Sequence, residues 1–281
     1  MSELRDLQLV QLEILKEIDK ICEKHNINYF LYGGTLLGAI RHNGFIPWDD
    51  DLDIAMLRKD YEKLEKIVSD ELDSKFFFQS LKTDLYPHFI AKVRLNGTTF
   101  IESLTRHMKI HHGVFIDILI LDNVPESIHS RKIYQMLLTL IYTIISSKVV
   151  YYDYSKFNLR KKIMGKILKF MTMFIPLNPA IELYKRLELN YANSNTDFVG
   201  QTSKAKPYRR CYKKDTIFPI QKVKFEDGYY SAPSNVDEML KIDFGDYMQL
   251  PPKEKRVSKH GFIIDLENNY THYLLNDLVK K

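Results

Sequence analysis

The first part of the chain alternates between helical and strand patterns of apolar residues. Between Leu4 and Cys22 apolar residues recur every three or four positions, which predicts an amphipathic helix over residues 3–24. The shorter apolar run at residues 27–32 predicts a strand that ends at a pair of glycines. A second helix is expected at residues 36–41. Strand, glycine turn and helix in this order are typical of phosphate binding.

Strand and helix patterns continue to residue 125. The predicted helix covers residues 59–72, and the predicted strands cover residues 51–57, 76–80, 89–95, 98–102 and 113–121. Asn96 and Gly97 form a dipeptide typical of tight hairpins, which predicts that the strands flanking them pair with each other.

From residue 126 to about residue 190 the apolar pattern becomes long and helical. Residues 133–150 reach the length of a membrane span, but their polar side chains favour a buried helix. Residues 160–177 interleave basic with apolar residues. This composition fits a helix lying on an anionic bilayer, and it fits equally a basic-faced helix packed on the protein.

These patterns divide the chain into three parts. Residues 1–125 are expected to form a catalytic core and residues 126–190 a helical subdomain. Residues 191–281 return to short strands and turns, and they are expected to form an α+β part that completes the active-site cleft.

Composition narrows the class of protein. The chain has 281 residues, of which 45% are hydrophobic and 27% charged, as in ordinary globular proteins. It has two cysteines, and its charged N-terminal segment lacks signal-peptide features, so a cytoplasmic protein without a disulfide framework is expected. A net charge of +5 suits a phosphate-bearing substrate or an anionic membrane surface. The basic residues are too dispersed to predict nucleic-acid binding.

Four aspartates crowd together at the start of the strand predicted at residues 51–57: Asp49, Asp50, Asp51 and Asp53. Two carboxylates about 4 Å apart repel by roughly 4 kcal/mol near a protein surface, so the cluster predicts a bound cation. Side chains two apart in a strand share a face, which places Asp51 and Asp53 together. Their spacing suits the pair of divalent ions used in phosphoryl chemistry.

Asp117 is the predicted third acidic ligand. It lies between Ile116 and Ile118 in a strongly apolar strand, where an acid is costly to bury unless a cation accompanies it. A structural pairing of Asp117 with an arginine is the alternative explanation.

Residues suited to phosphate binding accompany the acids. Gly33 and Gly34 allow the backbone to approach a phosphate closely, and Thr35 adds a further donor. Basic residues that could neutralise phosphate charge are Arg41, Lys92 and Arg94, although a single basic residue is more often a solvated surface group.

Two other kinds of site use clustered aspartates. A calcium loop is excluded because Ile54 stands where such loops need glycine. A glycosyltransferase that uses Asp51 and Asp53 to hold a metal and a nucleotide-sugar stays open, since the acidic pair alone does not distinguish the two enzyme classes. The glycine pair and Asp117 favour a nucleotidyltransferase.

Three motifs resemble those of the LicD phosphocholine transferases, which are related to the fukutin family. They are GGTLLG at residues 33–38, RHNGFIPWDDDLDI at residues 41–54 and GVFID at residues 113–117. Weaker similarity lies at residues 92–94, 98–102, 208–210, 232–233, 244–248 and 250–256. The resemblance implies an α+β fold with a polymerase-beta-type nucleotidyltransferase core, a mixed sheet with flanking helices, plus a helical insert.

The resemblance also implies a role for each candidate residue. Asp51, Asp53 and Asp117 would be catalytic and would hold Mg²⁺, expected as two ions with Mn²⁺ as the alternative. Asp117 would receive the proton of the attacking hydroxyl, and Trp48 would contribute to an aromatic cage for choline. The residues expected to contact the donor are Gly33, Gly34, Thr35, Arg41, Trp48, Asp50, Lys92, Arg94, Arg256 and His260.

Members of this family move phosphocholine from CDP-choline onto a sugar hydroxyl of a cell-surface glycan and release CMP. The implied acceptor is a teichoic acid, capsule or lipopolysaccharide precursor, and a lipid-linked acceptor would bring the protein to the inner face of the cell membrane. CDP-ribitol and CDP-glycerol are the alternative donors. The non-enzyme alternative is a catalytically silent relative that binds nucleotide or glycan.

Overall fold

The computed structural model describes residues 3–84, 89–150, 158–202, 210–258 and 261–275. The helices in these ranges are α1 (Glu3–Lys24), α2 (Gly33–His42), α3 (Arg58–Glu71), α4 (Ile128–Val149), α5 (Leu159–Thr172), α6 (Leu177–Glu188), α7 (Lys214–Ile217), α8 (Val236–Phe244) and α9 (Thr271–Leu275). The strands are β1 (Phe30–Leu31), β2 (Asp53–Leu57), β3 (Phe76–Gln79), β4 (Ala91–Leu95), β5 (Thr99–Glu102), β6 (Phe115–Asn123), β7 (Phe198–Gln201), β8 (Cys211–Lys213), β9 (Gln221–Phe225), β10 (Gly228–Ala232) and β11 (Gly261–Asp265).

Seven strands form one mixed sheet that carries the main core of the protein. Five of them run in the order β1-β2-β6-β4-β3, and β7 and β8 extend the sheet beside the last residues of β6. β2 and β6 are parallel, whereas the other neighbours are antiparallel. Two small antiparallel sheets, β9 with β10 and β5 with β11, complete the architecture. The mixed sheet with several helices confirms the predicted α+β fold class.

The first helix fixes the loop that precedes β2. Its apolar side packs into the core, and two polar side chains on α1, Gln8 and Gln11, are also buried. Gln8 donates through Nε2 to the backbone carbonyl of Asp49 at 2.9 Å, and Gln11 donates to the carbonyl of Asp50 at 2.9 Å. The helix therefore holds the acidic segment in place as well as covering the core.

The hairpin predicted around Asn96 and Gly97 is wrong. A turn is present, with Gly97 at a φ of 81°, but β4 pairs with β3 and β6, and β5 pairs with β11. The Thr98 hydroxyl accepts a hydrogen bond from the Val114 amide at 2.9 Å, which ties the turn to the residue just before β6. A local turn signal does not reveal that the partner of β5 comes from the C-terminal part of the chain.

Two element boundaries near the acids also differ from expectation. The strand predicted at residues 27–32 is confined to β1, and α2 begins at Gly33, so the glycine pair lies in the first turn of the helix. β2 begins at Asp53, which leaves Asp51 in the loop, two residues before the strand. The Tyr32 amide donates to the carbonyl of Asp53 at 3.0 Å, which fixes β1 beside β2.

A second core lies between α4, α6 and the sheet. Tyr134, Leu138 and Tyr184 are buried in it, and the ring of Tyr184 lies 4.0 Å from that of Phe89 between centroids. α4 covers most of the apolar stretch at residues 133–150. Across the described ranges, every helix is too short or too polar to cross a membrane. The division of the chain into three parts stays a prediction.

A buried ionic network connects α6 to the end of the sheet. Arg58 donates two hydrogen bonds of 2.7 Å to Asp122 and lies 3.1 Å from a carboxylate oxygen of Glu188. The Thr202 hydroxyl contacts both carboxylates, at 3.0 Å and 2.8 Å. One guanidinium thus faces two buried acids. Burial, and then the charge of Asp122, raise the pKa of Glu188 to about 7.

We expect Glu188→Gln to flatten the dependence of stability on pH between about 4.5 and about 7. Glu188 holds a proton in the folded state that it has lost in the unfolded state above its ordinary pKa of 4.5. Its contribution to stability is therefore fully present below that pH and is lost as the pH rises to about 7. Urea unfolding at several pH values measures the slope, and Glu182→Gln on the exposed side of α6 is the control. An unchanged slope in Glu188→Gln would contradict the assignment.

Candidate active site

Asp53 and Asp117 lie side by side at the start of the two parallel strands. They are register partners in the pairing of β2 with β6, and the Asp117 amide donates to the carbonyl of Leu52 at 2.8 Å. Adjacent strands lie about 4.8 Å apart, so the two carboxylates project from neighbouring backbones. The predicted origin of the third acid in a neighbouring strand therefore agrees with the structure.

Asp51 lies in the loop that precedes β2. Leu52 and Ile54 are completely buried, whereas Asp51 and Asp53 are half-buried. This alternation places the two aspartates on the side opposite the apolar residues, as the sequence spacing predicts. Asp51 gains that orientation without belonging to the strand itself.

The glycine pair lies directly against the acidic segment. Gly33 has a left-handed φ of 55°, and a Cβ atom on it would lie 3.1 Å from Oδ2 of Asp53. A Cβ atom on Gly34 would lie 2.7 Å from Oδ2 of Asp49, closer than side chains tolerate. The first turn of α2 therefore lies close to both carboxylates, and the left-handed φ of Gly33 favours glycine there. Its backbone amides are at the N-terminal end of the helix, where anions are favoured.

Thr35 joins the glycine turn to β2. It is almost completely buried, and its hydroxyl accepts a hydrogen bond from the Asp53 amide at 2.8 Å. The hydroxyl predicted to contact a donor phosphate thus also positions the acid beside it.

We expect Thr35→Val to destabilise the protein by about 1–3 kcal/mol, because the Asp53 amide loses its partner in a partly buried position. Thr35→Ser keeps the hydroxyl and is expected to lose less. Urea unfolding of the two variants makes the comparison. Equal stabilities would show that the hydroxyl does not support Asp53.

Asp117 is paired with a buried lysine. Lys92 on β4 is its cross-strand neighbour, with 2.6 Å between Nζ of Lys92 and Oδ1 of Asp117. The ammonium lies 3.4 Å from a carboxylate oxygen of Glu102 and 3.3 Å from the ring centre of Phe115. This is the kind of ion pair that the sequence left as the alternative for Asp117, with lysine in place of arginine.

Arg94 lies behind this pair and has no exposed surface. Its guanidinium donates to Oε1 of Gln79 at 2.6 Å and to the carbonyl of Gly113 at 2.7 Å, and it lies 3.6 Å from Glu102. Of the two basic residues predicted on this strand, Lys92 contacts a site carboxylate. Arg94 is enclosed by protein groups, and the donor contact predicted for it stays a prediction.

Arg41, Trp48 and Arg256 form a second group of predicted residues. The guanidinium of Arg256 lies 5.3 Å from the centre of the Trp48 ring, and Arg41 donates to the carbonyl of Tyr247 at 2.9 Å. Burial, and then the nearby Arg256, lower the pKa of Arg41. Trp48 therefore already contacts a cation, which is the interaction expected of a ring that receives choline. Arg41 is at the opposite end of α2 from the glycine pair.

Asp50 connects the acidic segment to the C-terminal part of the chain. It is completely buried, and its Oδ2 atom accepts hydrogen bonds from the Ser258 hydroxyl at 2.6 Å and from the Gly261 amide at 3.2 Å. These contacts support the position of its neighbours. The predicted donor contact of His260 lies outside the described residues.

Three residues behind the glycine turn are not indicated by any sequence motif. The hydroxyls of Tyr32 and Tyr212 lie 2.8 Å apart, and Tyr212 donates to Asp243 at 2.6 Å. Burial is the main cause that raises the pKa of both tyrosines. Because Tyr32 immediately precedes Gly33, this chain of hydrogen bonds attaches the glycine turn to β8 and α8.

The residues present fit a magnesium site by their chemistry. Carboxylate oxygens are the ligands that Mg²⁺ prefers, and Asp51, Asp53 and Asp117 bring three carboxylates to one end of the sheet. The described residues nevertheless contain no group of three His, Cys, Asp or Glu side chains arranged to hold a metal ion. One of the three carboxylates, that of Asp117, contacts the Lys92 ammonium at 2.6 Å. Metal binding and the site roles stay proposals.

Comparison with known proteins shows which families this chain resembles. Residues 26–120, which include the glycine pair and the three acids, match the profile described as LicD/FKTN/FKRP, nucleotidyltransferase domain. The chain is 29% identical over 266 residues to lipopolysaccharide cholinephosphotransferase LicD of Haemophilus influenzae, covering 92% of this chain and 96% of that protein. It is also 36% identical over 62 residues to ribitol 5-phosphate transferase FKRP of Mus musculus, covering 22% of this chain and 13% of that protein.

Proposed function

We propose, from the premise that residues 26–120 form a LicD-family nucleotidyltransferase domain, that this phosphotransferase moves phosphocholine from CDP-choline onto a sugar hydroxyl and releases CMP. The observation that carries the proposal is the pairing of β2 with β6, which brings Asp53 beside Asp117 under the glycine turn. The similarity to a cholinephosphotransferase extends over 92% of the chain, which favours choline as the headgroup.

In the proposed reaction the sugar hydroxyl attacks the phosphorus that bears choline, and the bond to the phosphate of CMP breaks. Asp117 takes the hydroxyl proton. Backbone amides of Gly33 and Gly34 bind the donor phosphates, and the nearby Lys92 orients Asp117 and offsets negative charge. Positioning and electrostatics supply most of the catalysis in such a transfer.

A divalent cation is part of the proposal. Asp51, Asp53 and Asp117 would hold Mg²⁺, which when bound offsets the charge of the phosphates. Mn²⁺ is the alternative ion. The repulsion within the acidic segment, which a cation relieves, supports this assignment.

The acceptor is proposed to be a precursor of a cell-surface glycan such as lipopolysaccharide, with teichoic acid and capsule as alternatives. A lipid-linked precursor would place the reaction at the cytoplasmic face of the membrane. The similarity to FKRP favours CDP-ribitol as the second candidate donor, ahead of CDP-glycerol.

The proposal is tested by incubating the purified protein with CDP-choline, CDP-ribitol or CDP-glycerol and measuring CMP release. Each donor is tried with Mg²⁺ or with a chelator, and with or without a glycan acceptor. We expect release from CDP-choline that needs both the metal and the acceptor. Release from CDP-ribitol alone would establish the alternative donor. Consumption of a UDP-sugar instead would establish a glycosyltransferase, and nucleotide binding without turnover would establish a silent relative.

A further inference from the structure

Helix α5 presents apolar side chains to solvent on the side that is not packed. Six large residues, each at least 49% exposed, define what we call the α5 apolar face: Leu159, Ile163, Met164, Ile167, Phe170 and Met171. Met173 and Phe174, just beyond the helix, are exposed in the same way. A surface helix of a globular protein normally turns such residues toward the core.

Helix α5 contacts α4 through a polar residue. Thr172 is buried, and its hydroxyl lies 3.0 Å from the Ser147 hydroxyl of α4. At about 100° per residue, the α5 apolar face spans an arc of roughly 140° that contains the exposed Arg160 at its N-terminal end and does not include Thr172. The orientation is therefore the reverse of the usual one, and packing against α4 leaves the apolar face uncovered.

Basic side chains border the α5 apolar face on one flank. Lys162, Lys166 and Lys169 lie within about 60° of one another around the helix, next to the arc. The sequence contains no acidic residue from position 154 to position 181. Apolar side chains bordered by lysines are the composition of helices that lie in the interface of an anionic bilayer.

The charge of this surface selects among its potential occupants. A second copy of the chain meeting this face would bring its own lysines against these, and like charges repel. Helix α5 does not span a bilayer, because no helix among the described residues is long and apolar enough to cross a membrane. An anionic lipid surface can bury the apolar side chains and also attract the lysines.

We propose that the α5 apolar face and its flanking lysines dock the protein on an anionic membrane surface. The side chains enter the boundary between headgroups and acyl chains, and the lysines contact lipid phosphates. This proposal rests on the exposure and charge of α5 and holds whichever headgroup the active site transfers. If the acceptor is lipid-linked, docking also brings the site to its substrate.

Flotation of the full-length protein with vesicles tests the proposal. We expect it to float with phosphatidylcholine vesicles that contain phosphatidylglycerol, and much less with phosphatidylcholine alone or at high salt. Lys166→Glu with Lys169→Glu should lower binding about tenfold or more. Phe170→Ser with Met171→Ser should lower it similarly. Lys59→Glu with Lys66→Glu, at exposed positions of α3, matches the charge change at another surface and should have little effect.

The flotation results test membrane docking independently of catalysis. All these variants change exposed side chains, so circular dichroism and CMP release with a soluble acceptor should match the parent protein. The proposal is overturned if the parent protein does not float, or if the α3 variant loses as much binding as the α5 variants. A concentration-dependent dimer that Phe170→Ser abolishes would assign the surface to a second copy instead.

Discussion

Asp53→Asn is expected to lower the rate of CMP release by about 10²–10³-fold without destabilising the fold. The substitution keeps the shape of the side chain and the bond from the Asp53 amide to the Thr35 hydroxyl. It removes one negative charge from a segment in which carboxylates repel one another, so the free energy of unfolding should hold steady or rise. The loss falls on the group that is proposed to hold the metal beside Asp117.

The measurement is CMP release at saturating donor, together with urea unfolding of the same preparation. Asp70→Asn, an identical change at an exposed position of α3, is the control and should behave like the parent protein. Mg²⁺ binding measured by titration calorimetry does not depend on turnover, and it should be weaker in Asp53→Asn than in the parent protein. Unchanged release in Asp53→Asn would remove the basis of the proposed mechanism.

Arg94→Met is expected to destabilise the protein by about 3–5 kcal/mol. The substitution leaves the carbonyl of Gly113 and the amide oxygen of Gln79 without their donor, and it removes a positive charge near Glu102. A buried group that loses its partner pays the full cost of desolvation. The effect should therefore appear as a loss of folding stability before any loss of donor affinity.

Urea unfolding gives the size of that loss, and Arg94→Lys, which keeps the charge but not the two-directional hydrogen bonding, should fall between the parent and Arg94→Met. The competing expectation from sequence is that Arg94 contacts a donor phosphate. That expectation would be supported if Arg94→Met unfolded like the parent protein and bound CDP-choline more weakly.

The pairing of Asp53 with Asp117 could be predicted because local signals agree there. Each acid is flanked by apolar residues with the period of a strand. An acid in such surroundings indicates that a positively charged group lies close to it. The role of the glycine pair in phosphate binding could be predicted from its position between an expected strand and an expected helix. The resemblance to a known family then placed the three motifs in one site.

The partners of the basic residues could not be predicted. Lys92 and Arg94 alternate with apolar residues as solvated side chains would, and their burial depends on Glu102 and Phe115 from two other strands. The glutamines of α1 gave no signal either, since their acceptors are backbone carbonyls of a distant loop. Contacts of this kind follow from the pairing of strands and not from local periodicity.

The buried hydrogen bonds of Asp50, together with those of the α1 glutamines, fasten one loop from both directions of the chain. Helix α1 is made early in synthesis, and the residues around Ser258 and β11 are made late. A nascent polypeptide that ends at residue 120 can form the hydrogen bonds from α1 to this loop, but not those from Ser258 and Gly261 to Asp50. The loop that carries the acidic segment is therefore held on both sides only after the C-terminal part of the chain has folded.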